Sequence, residues 1–158
     1  MLNLETLAEI ANQNQEDLQL QVAEFVVGPG EVDVGIAPQL MGVINMSDDS
    51  WYRESICLNT ESAIERGKAL STQGASIIDV GAESTLPEAQ VLDAHSQLDK
   101  VLPVVEALAH SAIAVSVETY DLEVVRQSLK AGAAVINLTG KRGSSAIYSE
   151  VASANAAV

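Results

Sequence analysis

From residue 39 onward the chain alternates short apolar runs with amphipathic helical stretches, four times over. Leu40-Met41-Gly42-Val43-Ile44 ends at Asn45, and a polar loop leads to a helical stretch over residues 60–73. A second run, residues 76–80, is followed by a loop and a helical stretch from about residue 94 to 109. The third run, residues 113–117, ends at Glu118 and precedes a helix over 121–131. The fourth, residues 133–136, ends at Asn137, and a last helix covers about 145–153. Short continuous apolar runs are strands covered on both faces, and strands alternating with helices lie parallel. The pattern therefore predicts βα units on a parallel sheet.

Two segments echo each other. Gln73-Gly74-Ala75-Ser76-Ile77-Ile78-Asp79 resembles Ala131-Gly132-Ala133-Ala134-Val135-Ile136-Asn137. In each, a glycine is placed to end a helix in the left-handed conformation just before a buried strand. Leu98, Val101, Leu102, Val105 and Leu108 mark the buried face of the second helical stretch. Pro103 falls within it and is expected to kink or restart the helix.

The first 38 residues read differently, as an extension to a unit spanning 39–158. Leu4, Leu7, Ala8 and Ala11 have helical spacing. Two β-like runs, residues 22–27 and 32–36, flank Gly28-Pro29-Gly30 and predict a hairpin. Aromatics are only 3% of a chain that is 47% apolar, so the core must be built from Val, Ile, Leu and Ala.

The formal charge is −14, from 22 acidic and 8 basic residues. No basic stripe is present to neutralise phosphates, which argues against nucleic acid and against an anionic membrane surface. No apolar run approaches the roughly 20 residues that span a bilayer, and the N-terminus reads as no signal peptide. Cys57 is the single cysteine and has no His or Lys beside it, so it is expected to be an inert thiol in a reducing compartment. The expected location is cytoplasmic. His95 and His110 have no metal-ligand spacing, and His110 is placed to end a helix.

The chemistry-bearing pattern lies at the strand ends. Asn45, Asp79, Glu118 and Asn137 each close one apolar run. In a parallel barrel these ends share one face, where ligands bind between the βα loops. Two carboxylates and two carboxamides suit a flat heterocycle with several N–H groups, or a hard cation. Composition alone does not choose between them, and polar residues also end buried strands for structural reasons alone.

The motifs around these residues are more specific. Met41-Gly42-Val43-Ile44-Asn45-Met46-Ser47-Asp48-Asp49-Ser50 resembles the first strand and loop of dihydropteroate synthases, M-G-[IV]-[LI]-N-V-T-P-D-S. Ile77-Ile78-Asp79-Val80-Gly81-Ala82-Glu83-Ser84-Thr85 resembles their I-I-D-V-G-G-E-S-T. Ser116-Val117-Glu118-Thr119 resembles S-V-D-T, and Gly132 to Asn137 resembles G-A-x-I-I-N. The resemblance implies a pterin-binding (β/α)₈ TIM barrel that condenses a dihydropterin methyl diphosphate with p-aminobenzoate, assisted by Mg²⁺, in folate biosynthesis. It implies Asn45 as the Mg²⁺ or diphosphate ligand and Thr85 as a diphosphate contact. Glu118 and Asn137 would face the pterin, with Asp79 at the floor of the same pocket. It assigns no catalytic side chain here.

The sequence departs from the family in four places. The first loop, Ser47 to Ser55, lacks the family's Pro and paired Gly. Leu86 stands where an anion-binding Arg is expected, and leucine cannot donate to phosphate. Glu118 replaces an Asp and is one methylene longer. Leu138 stands where an acid follows the fourth strand. A (β/α)₈ barrel takes about 250 residues, and only about four βα units are present, with residues 151–158 entering a fifth strand. The expectation is half a barrel: a fragment, or a half that pairs with a second half or a second copy. The functional expectations are a synthase when the barrel is complete, or a diverged pterin-binding paralogue or structural module without synthase activity. A methyltetrahydrofolate-binding methyltransferase domain shares the barrel but matches the loops less well.

Overall fold

Residues 60–72 become a helix because Asn59 stops the preceding loop and its side chain accepts from Ser62 N–H at 2.8 Å. The same device starts three later helices, with Asp93, Asp121 and Ser144 as caps. Such caps satisfy backbone donors that the first turn leaves unpaired. The computed structural model describes residues 3–19, 26–27, 30–32, 38–47, 50, 52–83, 92–138 and 144–158.

In order, the elements are α1 (Leu4–Gln13), β1 (Val26–Val27), β2 (Gly30–Glu31), β3 (Met41–Asn45), α2 (Thr60–Thr72), β4 (Ile77–Gly81), α3 (Ala94–His110), β5 (Ala114–Glu118), α4 (Leu122–Ala131), β6 (Val135–Asn137) and α5 (Ser145–Ser153). Strands β3-β4-β5-β6 form a parallel sheet in sequence order. This is the βα succession that the apolar runs predicted. At the chain end, Ala157 N–H donates to Ala134 O and Ile136 N–H donates to Ala157 O, both at 2.9 Å. Ala157 thereby starts a further parallel pairing beside β6, where a fifth strand would lie.

The two faces of the sheet differ, because side chains alternate along a strand. Ile44, Ile78, Val80, Val115, Val117 and Ile136 point to the helices and pack with Val101, Val104, Val105 and Leu108 of α3. Ile77, Ala114 and Val135 point the other way, where Val27 and Val32 cover them. The N-terminal segment thus plugs the amino end of the concave face. Its hairpin is shorter than expected and its turn is displaced. Val27 pairs with Gly30, so Gly30 is strand and not turn. Residues 22–25 and 33–36 of the expected runs lie outside the described residues.

Pro103 does not restart its helix, since α3 is continuous from Ala94 to His110. The proline is exposed, so water can satisfy the Asp99 carbonyl that the missing N–H leaves free. His110 closes α3, and its Nδ1 lies 2.7 Å from Glu106 O. Burial pushes the Cys57 thiol up against the opposing pull of Arg66, as suits an inert cysteine.

The echoed glycines behave alike. Gly74 and Gly132 have φ of 107° and 106°. They differ in surroundings: a Cβ at Gly132 would lie 2.8 Å from Ala109 Cβ, while none of the surrounding atoms comes within 4 Å at Gly74. Gly74→Ala is expected to cost about 1–2 kcal/mol from backbone strain alone. Gly132→Ala should cost about 1–3 kcal/mol more, because α3 and α4 must separate. Equilibrium urea unfolding of both variants checks this, and equal losses would remove the Ala109 contact as a constraint.

Candidate functional site

The carboxyl ends of three strands carry the expected side chains, Asn45, Glu118 and Asn137, whereas Asp79 is not a strand end: it lies mid-strand in β4, which runs on to Gly81. Asn45, Gly81, Glu118 and Asn137 stand side by side in register. Asp79 is two residues deeper, level with Val43 and Ser116. The four polar residues are therefore not all in one row, which corrects the simple reading of strand ends. The cause is strand stagger, which a curving parallel sheet requires. Asp79 and Asn137 hold equivalent places in the echoed segments, yet β6 is shifted by two residues against β4 through their common neighbour β5. That shift lifts Asn137 above Asp79.

The consequence is a hydrogen bond: Asn137 Nδ2 donates to Asp79 Oδ2 at 3.0 Å. It fixes the carboxamide with its oxygen turned elsewhere. Asp79 is 5% exposed, and its second oxygen, Oδ1, is buried with no hydrogen-bond partner. The neighbouring Ser116 Oγ is likewise buried and unpaired. Burial pushes the Asp79 carboxyl above its ordinary range; the Ser116 hydroxyl, nearby but not in a formed hydrogen bond, and the Asn137 amide oppose it less strongly. An unpaired buried carboxylate oxygen costs stability, and such groups concentrate where ligands bind.

Asn45 is held from the loop that follows it. Ser55, fully buried, donates its hydroxyl to Tyr52 O at 2.6 Å and so can only accept from Asn45 Nδ2, at 2.5 Å. Asn45 Oδ1 is left to face the concave side. Cys57 N–H to Asn45 O, at 2.8 Å, folds this loop back on the strand end. Lys100 Nζ donates to Met46 O at 3.0 Å from the helix side.

A buried polar chain, not foreseen from the sequence, secures the next two loops. Glu83 accepts from Leu92 N–H at 3.2 Å, closing the base of the second loop. Gln97 Nε2 donates to Leu92 O at 3.0 Å, and Thr119 Oγ1 donates to Gln97 Oε1 at 3.0 Å. Gln97 lies on the buried stripe of α3, four residues before Val101, and a polar residue on that stripe was the available signal. Thr85, expected at the diphosphate, and Leu86 lie outside the described residues.

Among the described residues, no three His, Cys, Asp or Glu side chains are grouped to hold a metal ion. Any cation here needs amide, water or ligand oxygens. Mg²⁺ commonly binds that way, with few protein oxygens and the rest from water and phosphate. Asn45, whose Nδ2 is held by Ser55 so that its oxygen is left to accept, fits.

The model of the pterin binding enzyme family matches residues 41–158. The chain belongs to that family. It is 37% identical over 126 residues to the dihydropteroate synthase of Mycobacterium leprae, covering 78% of this chain and 44% of that enzyme. The crystal structure of Yersinia pestis dihydropteroate synthase with a sulfonamide drug is similar at TM-score 0.76 and 30% identity, covering 85% of this chain and 49% of that one. The Burkholderia cenocepacia enzyme complexed with 7,8-dihydropteroate gives TM-score 0.61 and 30% identity, over 75% and 39% of the two chains. The chain thus spans less than half the length of these relatives. Its parallel sheet corresponds to one half of their TIM barrel. Among the described residues, no helix is long and apolar enough to cross a membrane.

The raised Asp79 carboxyl makes a signed prediction. Between its ordinary value and its raised value, the folded chain holds a proton that the unfolded chain has lost. Stability is therefore greatest below this window and declines as pH rises through it. Asp79→Asn removes that decline and is expected to unfold at pH 7 no lower in temperature than the parent. Thermal unfolding from pH 4 to pH 8 checks it; a variant that keeps the parent's slope would assign the slope elsewhere.

Proposed function

We propose that this chain supplies the pterin- and cation-binding half of a dihydropteroate synthase-type transferase. In the reaction, the aromatic amine of p-aminobenzoate forms a C–N bond to the pterin methylene. The methylene's C–O bond breaks, diphosphate leaves with the electron pair, and the amine loses a proton. The observation that carries the reading is the Asn137–Asp79 pair: an oriented carboxamide above a buried carboxylate with one unpaired oxygen. A pterin edge presents amino and ring N–H donors, and both groups accept.

In this reading Asp79 takes the deepest N–H, while Asn137 and Glu118 face the ring from above. Thr85 meets the diphosphate. Asn45 would hold Mg²⁺, which offsets charge on the leaving diphosphate when bound. The chain spans less than half the length of these relatives, so turnover in this reading needs the remainder of the barrel. A cytoplasmic location accompanies the reading, and the lone buried Cys57 suits a reducing compartment. A second reading, pterin binding without turnover, is favoured by Leu86 in place of the family's arginine.

Calorimetric titration with the dihydropterin methyl diphosphate tests the site. Binding should weaken by about tenfold or more in Asn137→Ala, from loss of one or more buried hydrogen bonds. A folded parent chain that binds no dihydropterin would overturn both readings. Binding without dihydropteroate on adding p-aminobenzoate and the rest of the barrel would select the second.

A further inference from the structure

One turn of α3 carries two polar side chains that reach the ends of three strands. Gln97 and Lys100 are three residues apart and so share a face of the helix. Lys100 Nζ donates to Met46 O at 3.0 Å, and Met46 N–H donates to Gly81 O at 2.7 Å. Gln97 is 4% exposed. Its Nε2 donates to Leu92 O at 3.0 Å and lies 3.4 Å from Glu83 Oε2, while its Oε1 accepts from Thr119 Oγ1 at 3.0 Å. These partners fix the direction of every bond. A carbonyl only accepts, so Nε2 faces Leu92, Oε1 is left for Thr119, and the Thr119 hydroxyl donates. The same hydroxyl oxygen accepts from Asp121 N–H at 3.2 Å, where α4 begins. The anchored positions adjoin the site: Met46 follows Asn45, and Thr119 follows Glu118.

We infer that Gln97 and Lys100 are positioning residues of the pterin site, with one turn of α3 clamping the ends of β3 and β5 and the base of the loop after β4 into a single block. Neither side chain touches the ligand; each acts through residues next to those that would. A ligand addressed from several strands binds well only when those strands end at fixed relative heights, and an error of about 1 Å is enough to matter. Without the clamp, each loop would have to be ordered at the moment of binding. A buried neutral amide suits this task because it donates at one end and accepts at the other. An apolar side chain in its place would take a partner from both Leu92 O and Thr119 Oγ1. The ligand in this inference comes from the proposed function, whereas the clamp rests on the hydrogen bonds alone.

Amide hydrogen exchange reads the clamp without any ligand. In Gln97→Met, Leu92 N–H keeps its acceptor on Glu83 and Asp121 N–H keeps Thr119 Oγ1. Both amides should nevertheless exchange faster, by about threefold or more. Calorimetric titration with the dihydropterin methyl diphosphate, well below the melting temperature, reads the positioning. Binding should weaken by about threefold or more in Gln97→Met and in Lys100→Met. Thr119→Val should weaken it too, while Thr119→Ser keeps the hydroxyl and should bind as the parent does. Val104→Ala removes buried packing on the same helix and no loop hydrogen bond, so it should lower the melting temperature and leave the affinity unchanged. That contrast separates positioning from loss of stability, and Thr119→Val decides the matter if Gln97→Met does not fold. The inference is overturned if Gln97→Met leaves both amides protected as in the parent. It is overturned equally if the Gln97 and Lys100 variants lose no more affinity than Val104→Ala. A folded parent that binds no dihydropterin, with Leu92 and Asp121 exchanging faster together in Gln97→Met, removes the proposed function and leaves the clamp. A parent that binds, with variants that bind alike, removes only the inference.

Discussion

Parallel strands point their carboxyl ends the same way, and each must be reached by a helix crossing back over the sheet. That constraint orders the chain from residue 41 onward. It places α2, α3 and α4 on one face, where Ile44, Ile78, Val80, Val115, Val117 and Ile136 need cover. It leaves the other face concave. It also gathers every loop that follows a strand at one end, so Asn45, Asp79, Glu118 and Asn137 meet although up to 92 positions separate them in sequence.

The floor of the site is expensive. Asp79 and Ser116 replace what would otherwise be aliphatic side chains in the interior, and each leaves an oxygen unpaired. Layers of aliphatic residues are the usual filling of such an interior, and Ile77, Ala114 and Val135 with Val27 and Val32 supply one just below. The change from apolar to polar within two residues marks where packing ends and the pocket begins. Instability held there is what a ligand with matching donors would relieve.

Much of this was legible in the sequence. The four βα units, the glycines that end α2 and α4 and three of the four polar strand ends follow from short-range pattern and are present in the structure. The depth of Asp79 was not legible. The echoed segments assign it the same position as Asn137, and only the two-residue stagger, a property of the sheet as a whole, separates them. The helix does not restart at Pro103, because at an exposed turn solvent replaces the lost bond. The chain from Glu83 through Gln97 to Thr119 links residues up to 36 apart in sequence. No local pattern announces it, apart from a glutamine on an apolar stripe.

The charge of −14 shows which electrostatics can matter in such a site. A diphosphate approaching this chain is repelled overall. Exposed carboxylates farther away than the screening length of about 8–10 Å contribute little to that repulsion, because salt attenuates them. Groups inside the concave face are screened less, so the local balance decides. A cation held as proposed at Asn45 would offset charge where a leaving group must depart. An acidic protein can hold an anion on these terms, through a few fixed groups working against its own overall field.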